Sequence, residues 1–441
     1  MRKLLCVAGV LLWAGMALPG MVSQAAGQVP APAAPIVLKA ARVFTSTSEH
    51  PLTPGMVLVE GNHITQVGAS LPVPPGAQVI DLGDATLLPG FIDAHVHLAM
   101  ELGPDYYRDF YQGALRFPAE QALYAAKYAR LTLEAGFTTV RDVGSGEFIA
   151  LGLRNAINAG IAAGPRMLIA NHGIGSTGGH ADEAPFPPDR IKPGGTIEGI
   201  CNGPAQCREA VRYQIKYGAD VIKCMPSGGV LSLSDPVDVP ELTQEEMNAI
   251  VSEAHAWHRK VAAHCHGDAA AKIAIAAGVD SIEHGSFLQD DTLRLMKEKG
   301  VYLVPTLFAG AWVGEQADHF PPPIAVKARA ASAAMQSMFQ RALKAGVKIA
   351  FGTDSAVEPH GLDAREFALM VKNGMTPAQA LLSATRSGAD LLGLADQIGT
   401  IETGKLADLV AVPGDPLQDI KQTEKVSFVM QGGKVVKNPA H

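Results

Sequence analysis

With 441 residues, 47% hydrophobic and 18% charged, the chain has the composition of a globular protein. It is long enough for one large α/β domain and something smaller beside it. A formal net charge of −7 with no Lys/Arg run gives no electrostatic footprint for nucleic acid or an anionic membrane surface.

The chain opens on Met1-Arg2-Lys3, then runs apolar and uncharged from Leu4 through Val22, with small residues following at Ser23 and Ala25. A basic head, an apolar run and small residues at −3 and −1 read as a cleaved export signal. A membrane anchor competes, but Gly15, Pro19 and Gly20 interrupt the run and no basic flank follows it. Residues 1–25 are therefore expected to be removed, and residues 26–35 to form a disordered Ala/Pro-rich lead. The mature protein is expected to be periplasmic or secreted, with no membrane attachment. Among the five cysteines, Cys6 leaves with the signal, while Cys224 and Cys265 fall in apolar strand patterns and read as small buried hydrophobes. Cys201 and Cys207 flank an Asn-Gly-Pro turn. Export allows a local disulfide there, and two free thiols are the alternative in a chain large enough to fold without a staple.

Residues 36–84 read as short strands at 36–38, 56–60, 64–67 and 78–80, with a hairpin turn at Gly61-Asn62. Residues 396–441 read likewise, with strands at 409–412, 426–430 and 435–436. Either segment is thin alone; together they predict a small β-sandwich built from both chain ends. Between them, residues 85–395 repeat one unit: a helical pattern ends in Gly and an apolar strand follows. Strands are predicted at 91–97, 137–140, 167–170, 219–224, 260–264, 279–283, 301–305 and 347–351. Helices lie between them, such as 120–135, 205–217, 243–258 and 326–345. Eight strand–helix units predict an α/β fold, a (β/α)8 TIM barrel. A doubly wound open sheet competes, but no G-x-G-x-x-G opens its first helix.

Barrel enzymes keep their chemistry at the C-terminal tips of the strands. The first tip carries His95 and His97, two apart and so on one side of a strand. The fourth gives Lys223, the fifth His264, the sixth His284 and the eighth Asp354. Four histidines, a carboxylate and a lysine at one mouth suit zinc-like ions. His266 shares the strand face of His264, so spacing leaves open which of the two is the ligand. An ammonium could not sit among cations, so Lys223 must be neutral or chemically altered.

These stretches resemble the metal-dependent amidohydrolase superfamily: D-A-H-V-H, G-A-D-V-I-K, V-A-A-H-C-H-G, I-E-H-G, F-G-T-D and the late G-T-I-E-T-G-K-L-A-D-L-V from Gly399 to Val410. Thr177-Gly178-Gly179-His180, Ser227-Gly228-Gly229 and Pro359-His360-Gly361 are similar to its exported prolidase-like and imidazolonepropionase-like branch, and within that to bacterial amidases that hydrolyse ochratoxin. The resemblance implies two zinc or similar divalent ions. His95, His97 and Asp354 would hold one, His264 and His284 the other, with a CO2-derived carbamate on Lys223 bridging them. It implies Asp354 as proton carrier, and His180 or His266 as oxyanion donor. Expected substrate contacts are His180, Ser227, His266, Arg141 and His360, with a structural ion pair to Asp142 as the alternative for Arg141. Phe308, Trp312 and Phe320 either wall a pocket for a bulky side chain or belong to the buried core. The partner is a small amide or dipeptide, and the branch implies a homo-oligomer. The rivals are a dipeptidase without ochratoxin activity, a mononuclear deaminase, and a non-catalytic periplasmic binding protein.

Overall fold

The computed structural model describes residues 34–438 apart from 104, 183–186, 188, 190 and 191. The export signal and nearly all of the Ala/Pro lead lie outside the described residues. Among those described, no helix is long and apolar enough to cross a membrane.

The barrel strands are β1 (Phe91–Val96), β2 (Phe137–Asp142), β3 (Arg166–Ile169), β4 (Val221–Cys224), β5 (Lys260–Cys265), β6 (Ser281–His284), β7 (Tyr302–Val304) and β8 (Lys348–Ile349). All neighbouring pairs within β1–β3 and within β4–β8 are parallel. Backbone hydrogen bonds close both seams. Asp220 N–H donates to Ile169 O (2.8 Å) and Ile174 N–H to Lys223 O (2.9 Å), joining β3 to β4. Ala94 N–H donates to Phe351 O (2.9 Å) and Asp354 N–H to His95 O (2.8 Å), joining the chain after β8 to β1. The register sets His264 opposite Glu283, and Cys265 opposite His284. Neighbouring tips are thereby brought level at one mouth. Strands buried on both faces read as continuous apolar runs, which is why the sequence marks them.

Helices cover the outside, among them Pro118–Glu134, Pro204–Lys216, Gln244–Ala256 and Pro322–Ala345. The last ends at Gly346 with φ +77°, a left-handed cap that suits glycine, and β8 starts two residues on. Phe91, Phe137, Phe351 and Phe367 pack ring on ring, with centroids 4.5 Å apart for the tightest pair, where β1, β2 and the chain after β8 meet helix Arg365–Lys372.

The small domain has two sheets. One orders strands 63–68, 55–60, 36–40 and 78–81; the other orders 434–437, 428–431, 409–413, 85–89 and 42–43. Leu38, Val57, Val59, Leu87, Leu409, Phe428 and Met430 form its core. Strand Ala85–Pro89 pairs antiparallel with Leu409–Pro413, so the edge drawn at residue 85 moves to Gly90. The Pro-Gly turn, not the start of the apolar run, separates sandwich from barrel. Cys201 and Cys207 are bridged, Cα atoms 5.0 Å apart, which ties the loop after β3 to the first turn of helix Pro204–Lys216. Cys224 and Cys265 are buried free thiols.

Candidate metal centre

The C-terminal mouth collects His95, His97, Lys223, His264, His266, His284 and Asp354. Ligand atoms of His264, His266 and His284 lie within 4.8 Å of one another, as do those of His95, His284 and Asp354. Nε2 of His95 and Nε2 of His97 both lie 3.2 Å from Asp354 Oδ1. Lys223, 1% exposed, points its Nζ to within 3.4 Å of His95 Nε2. The donor set, imidazoles with one carboxylate, fits zinc-like ions.

Each histidine is oriented by the nitrogen it turns away. Nδ1 of His95 donates to Glu283 Oε2 (2.8 Å) and Nδ1 of His97 to the Gly144 carbonyl (2.7 Å). Nδ1 of His284 pairs with Thr306 Oγ1 (2.8 Å) and Nδ1 of His266 with Ser286 Oγ (2.8 Å). His264 is reversed: its Nε2 faces the Gly228 carbonyl at 3.3 Å, leaving Nδ1 for the centre. Such outer partners fix tautomer and ring plane. Burial holds His264 and His284 well below the usual histidine range, and His266 down to about 3. Burial would raise Asp354, yet His95 and His97 beside it hold its carboxyl well below the usual range. His97 goes the other way: burial would lower it, yet Asp354 beside it raises it. Neutral imidazoles at His264, His266 and His284 beside an ionised carboxylate are what a cation requires.

The backbone is strained here. His284 (φ +68°), Thr306 (φ +49°) and Asp354 (φ +71°) are left-handed without being glycine. Each such residue costs about 1–3 kcal/mol. At β6 and after β8 this turn comes at the ligand itself, where the chain leaves the strand.

Three of the expected substrate contacts have their polar groups engaged within the protein. Arg141 is 1% exposed and lies inside the barrel, where its guanidinium donates to Ala94 O (2.6 Å), Ser281 Oγ (3.1 Å) and Glu283 Oε1 (2.9 Å). It is a structural cation paired with Glu283, not with its neighbour Asp142. Ser227 is fully buried and accepts the His266 N–H (2.9 Å), so it braces a site residue. His360 is buried with both nitrogens engaged, by Ser355 Oγ (3.1 Å) and Met100 O (2.8 Å), and its ring stacks on Tyr128. His180 does reach the site, half-buried with its ring centroid 4.4 Å from His264. Phe308 is buried against Trp312. Phe320 instead joins an apolar cluster with Leu231, Phe287 and Val357, drawn from segments after β4, β6, β7 and β8.

Glu283 is the residue missed from sequence. It precedes His284 in I-E-H-G, fully buried, and bridges Arg141 to His95. Burial would raise its carboxyl, but the Arg141 guanidinium and His95 hold it down to about 2. Glu283→Gln should weaken metal affinity about 10–100-fold through the loosened His95. It should also destabilise the metal-free fold by about 3–5 kcal/mol, because Arg141 is left buried without its counter-charge. Metal titration and denaturant unfolding after chelation measure the two effects separately. A variant equal to the parent in both would refute the bridge.

A TIM barrel flanked by a sandwich from both chain ends, with a His/Asp cluster at the strand tips, defines a metal-dependent hydrolase scaffold. The chain belongs to the amidohydrolase family, whose model matches residues 86–436. It is 35% identical to the ochratoxinase of Aspergillus niger over 372 residues, which is 80% of this chain and 76% of that protein. Its fold superposes on the crystal structure of that ochratoxinase with a TM-score of 0.81, at 31% identity, covering 92% of this chain and 96% of the other. A crystal structure of a Xaa-Pro dipeptidase with methionine bound in its active site gives a TM-score of 0.88 at 39% identity, covering 92% and 100%. The chain is accordingly a hydrolase of amide bonds, related to ochratoxinase and the prolidases.

Proposed function

We propose that this protein is a binuclear hydrolase whose substrates are amides of an amino acid with a free carboxylate. Dipeptides and N-acyl amino acids are its class, including ochratoxin A cleaved to ochratoxin alpha and phenylalanine. The observation that carries the reading is the convergence of His95, His97, His264, His284 and Asp354 around the buried Lys223. In this reading His95, His97 and Asp354 would hold one zinc-like ion, His264 and His284 the other, and Lys223, as a carbamate, would serve both. Such ions, when bound, polarise the scissile carbonyl and acidify water. Asp354 takes the proton of the attacking water and returns it to the leaving nitrogen. His266, neutral and beside that set, donates to the oxyanion, and His180 at the edge of the set receives the substrate. A mononuclear deaminase would have no use for a lysine 3.4 Å from His95 Nε2.

Xaa-Pro dipeptidase without ochratoxin activity is the second reading, favoured by the likeness to the dipeptidase structure. The experiment that tests the class compares a free-acid substrate with its C-terminal amide or methyl ester. Blocking the carboxylate should lower kcat/KM by at least about 10-fold, the loss of one charge-assisted contact of roughly 1.5–3 kcal/mol. Unchanged kcat/KM would replace the reading by a simple amidase or esterase. Running ochratoxin A beside Xaa-Pro dipeptides separates the two substrate readings.

We further read the mature enzyme as exported, on its N-terminal sequence, and as a homo-oligomer. Helix Tyr106–Leu115 has no buried residue and turns Tyr107, Tyr111 and Leu115, four apart, to solvent. A second copy is the occupant suggested for that face.

A further inference from the structure

The loop that follows β4 is fastened by a single lysine. Lys327 lies in the second turn of helix Pro322–Ala345. Its Nζ donates to the main-chain carbonyls of Gly229 (2.7 Å), Ser232 (2.7 Å) and Asp235 (2.9 Å). An ammonium has three protons to donate, and one loop takes all three. Val230 and Val237 of that loop pack with Ala328 and Ala331 of the same helix, so the clamp is set in apolar surroundings. Inside the loop, Asp235 Oδ2 accepts the Gly229 N–H (2.7 Å), and Ser232 Oγ donates to Gly229 O (3.2 Å).

The same loop meets three histidines of the mouth. Gly228 O faces His264 Nε2, Ser227 Oγ accepts the His266 N–H, and Ser232 Oγ pairs with His180 Nδ1 at 3.1 Å. Glu241, at the loop's far end, accepts the His180 N–H (2.9 Å). Gly229 lies against the His180 ring so closely that a Cβ there would come within 2.1 Å of it. Only glycine allows that approach, and any shift of the loop moves the imidazole.

We propose that Lys327 is a positioning residue for substrate binding, acting through the 228–235 loop on His180. The role rests on the amide-hydrolase reading only for its kinetic arm. His180 sits beside His264 at the edge of the ligand set, so displacing it alters how substrate is received while the ligands stay in place. Misplacement on the order of 1 Å at such a site costs about 10²-fold in rate constant.

The test uses the full-length, metal-loaded enzyme with Lys327→Met, which keeps the stem and removes the donors, and Ser232→Ala, which removes only the hydroxyl facing His180. Both should lower kcat/KM about 10–100-fold, mostly in KM, and Ser232→Ala, which leaves Gly228 O facing His264, should keep its metal content. In a His180→Ala background Lys327→Met should add less than about 2-fold, because coupled residues are not additive. Hydrogen exchange followed without substrate should rise in segments 227–235 and 176–182 and nowhere else. The proposal is overturned if Lys327→Met costs the same factor with and without His180, if Ser232→Ala is silent, or if exchange rises globally or not at all. Should Lys327→Met fail to fold, Ser232→Ala decides the matter by the same readouts. If the parent enzyme turns over no amide, the function reading falls, and local exchange alone still confirms or refutes the clamp.

Discussion

Asp354→Asn is expected to lower kcat by about 10²–10⁴-fold, the range for loss of a positioned proton carrier, while much of the metal stays bound. Asparagine has nearly the same shape, keeps an oxygen toward His95 and His97, and leaves the Asp354 N–H bond to His95 O untouched. The strained φ of +71° is tolerated by asparagine better than by most residues. What the amide lacks is the ability to accept a proton from water and release it to the leaving nitrogen. Steady-state kinetics with metal analysis on the same sample give both numbers. A near-normal kcat would remove Asp354 from the chemistry. Full loss of metal would make it chiefly a ligand.

The strand tips were legible because their signals are local. An apolar run bounded by glycine marks a buried parallel strand, and a histidine or aspartate at its end has no packing reason to be there. His95, His264, His284 and Asp354 could each be found that way, and the tips do meet at one mouth. Helix starts were read late where proline opens the helix. Pro118, Pro204 and Pro322 each occupy the first helical position, where the missing N–H costs nothing. Helix Leu307–Glu315 opens without a side-chain cap. Thr306 caps it in a left-handed conformation, and the acceptors for its first N–H groups come from Glu366, at 3.0 Å from Leu307 N and 2.6 Å from Phe308 N. Burial pushes that carboxyl up to about 8.

Long-range pairing holds the site residues whose partners were not legible in the sequence. Arg141 ends a strand at the correct face of the barrel, and on sequence grounds a cation there invites a substrate carboxylate. Its partner Glu283 is 142 residues away, and only the closed barrel brings the two together. The same closure hands Glu283 to His95, so the residues that orient the ligands were hidden behind those that bind. His360 is held partly this way: Ser355 is a local partner, but Met100, which its Nε2 faces, comes from the distant segment after β1.

Lys223 carries the second large effect. If the proposed binuclear reading holds, Lys223→Ala should lose both metal ions and more than about 10³-fold in activity, beyond the loss of one electrostatic donor. Formate or acetate, supplying a carboxylate to the emptied space, should restore part of each. The expectation rests on position. The side chain is 1% exposed, its Nζ is 3.4 Å from a ligand nitrogen, and Cys224 and Ile222, its neighbours in β4, are fully buried. A free ammonium there would face two cations across a few ångströms in a medium that screens poorly. Burial, the largest influence, already lowers the lysine below its ordinary range, though Glu283 and Asp354 act to raise it. A neutral amine can add CO2 and present two oxygens, one toward each ligand group. Lys223→Met, of similar volume, separates that role from packing: it should fold like the parent yet bind no metal pair. Intact mass under non-acidic conditions should show the added mass of one CO2 on the parent and none on either variant. An unmodified Lys223 in a fully loaded, active enzyme would end the carbamate reading. The histidines and Asp354 would then have to hold whatever metal is present without a bridge.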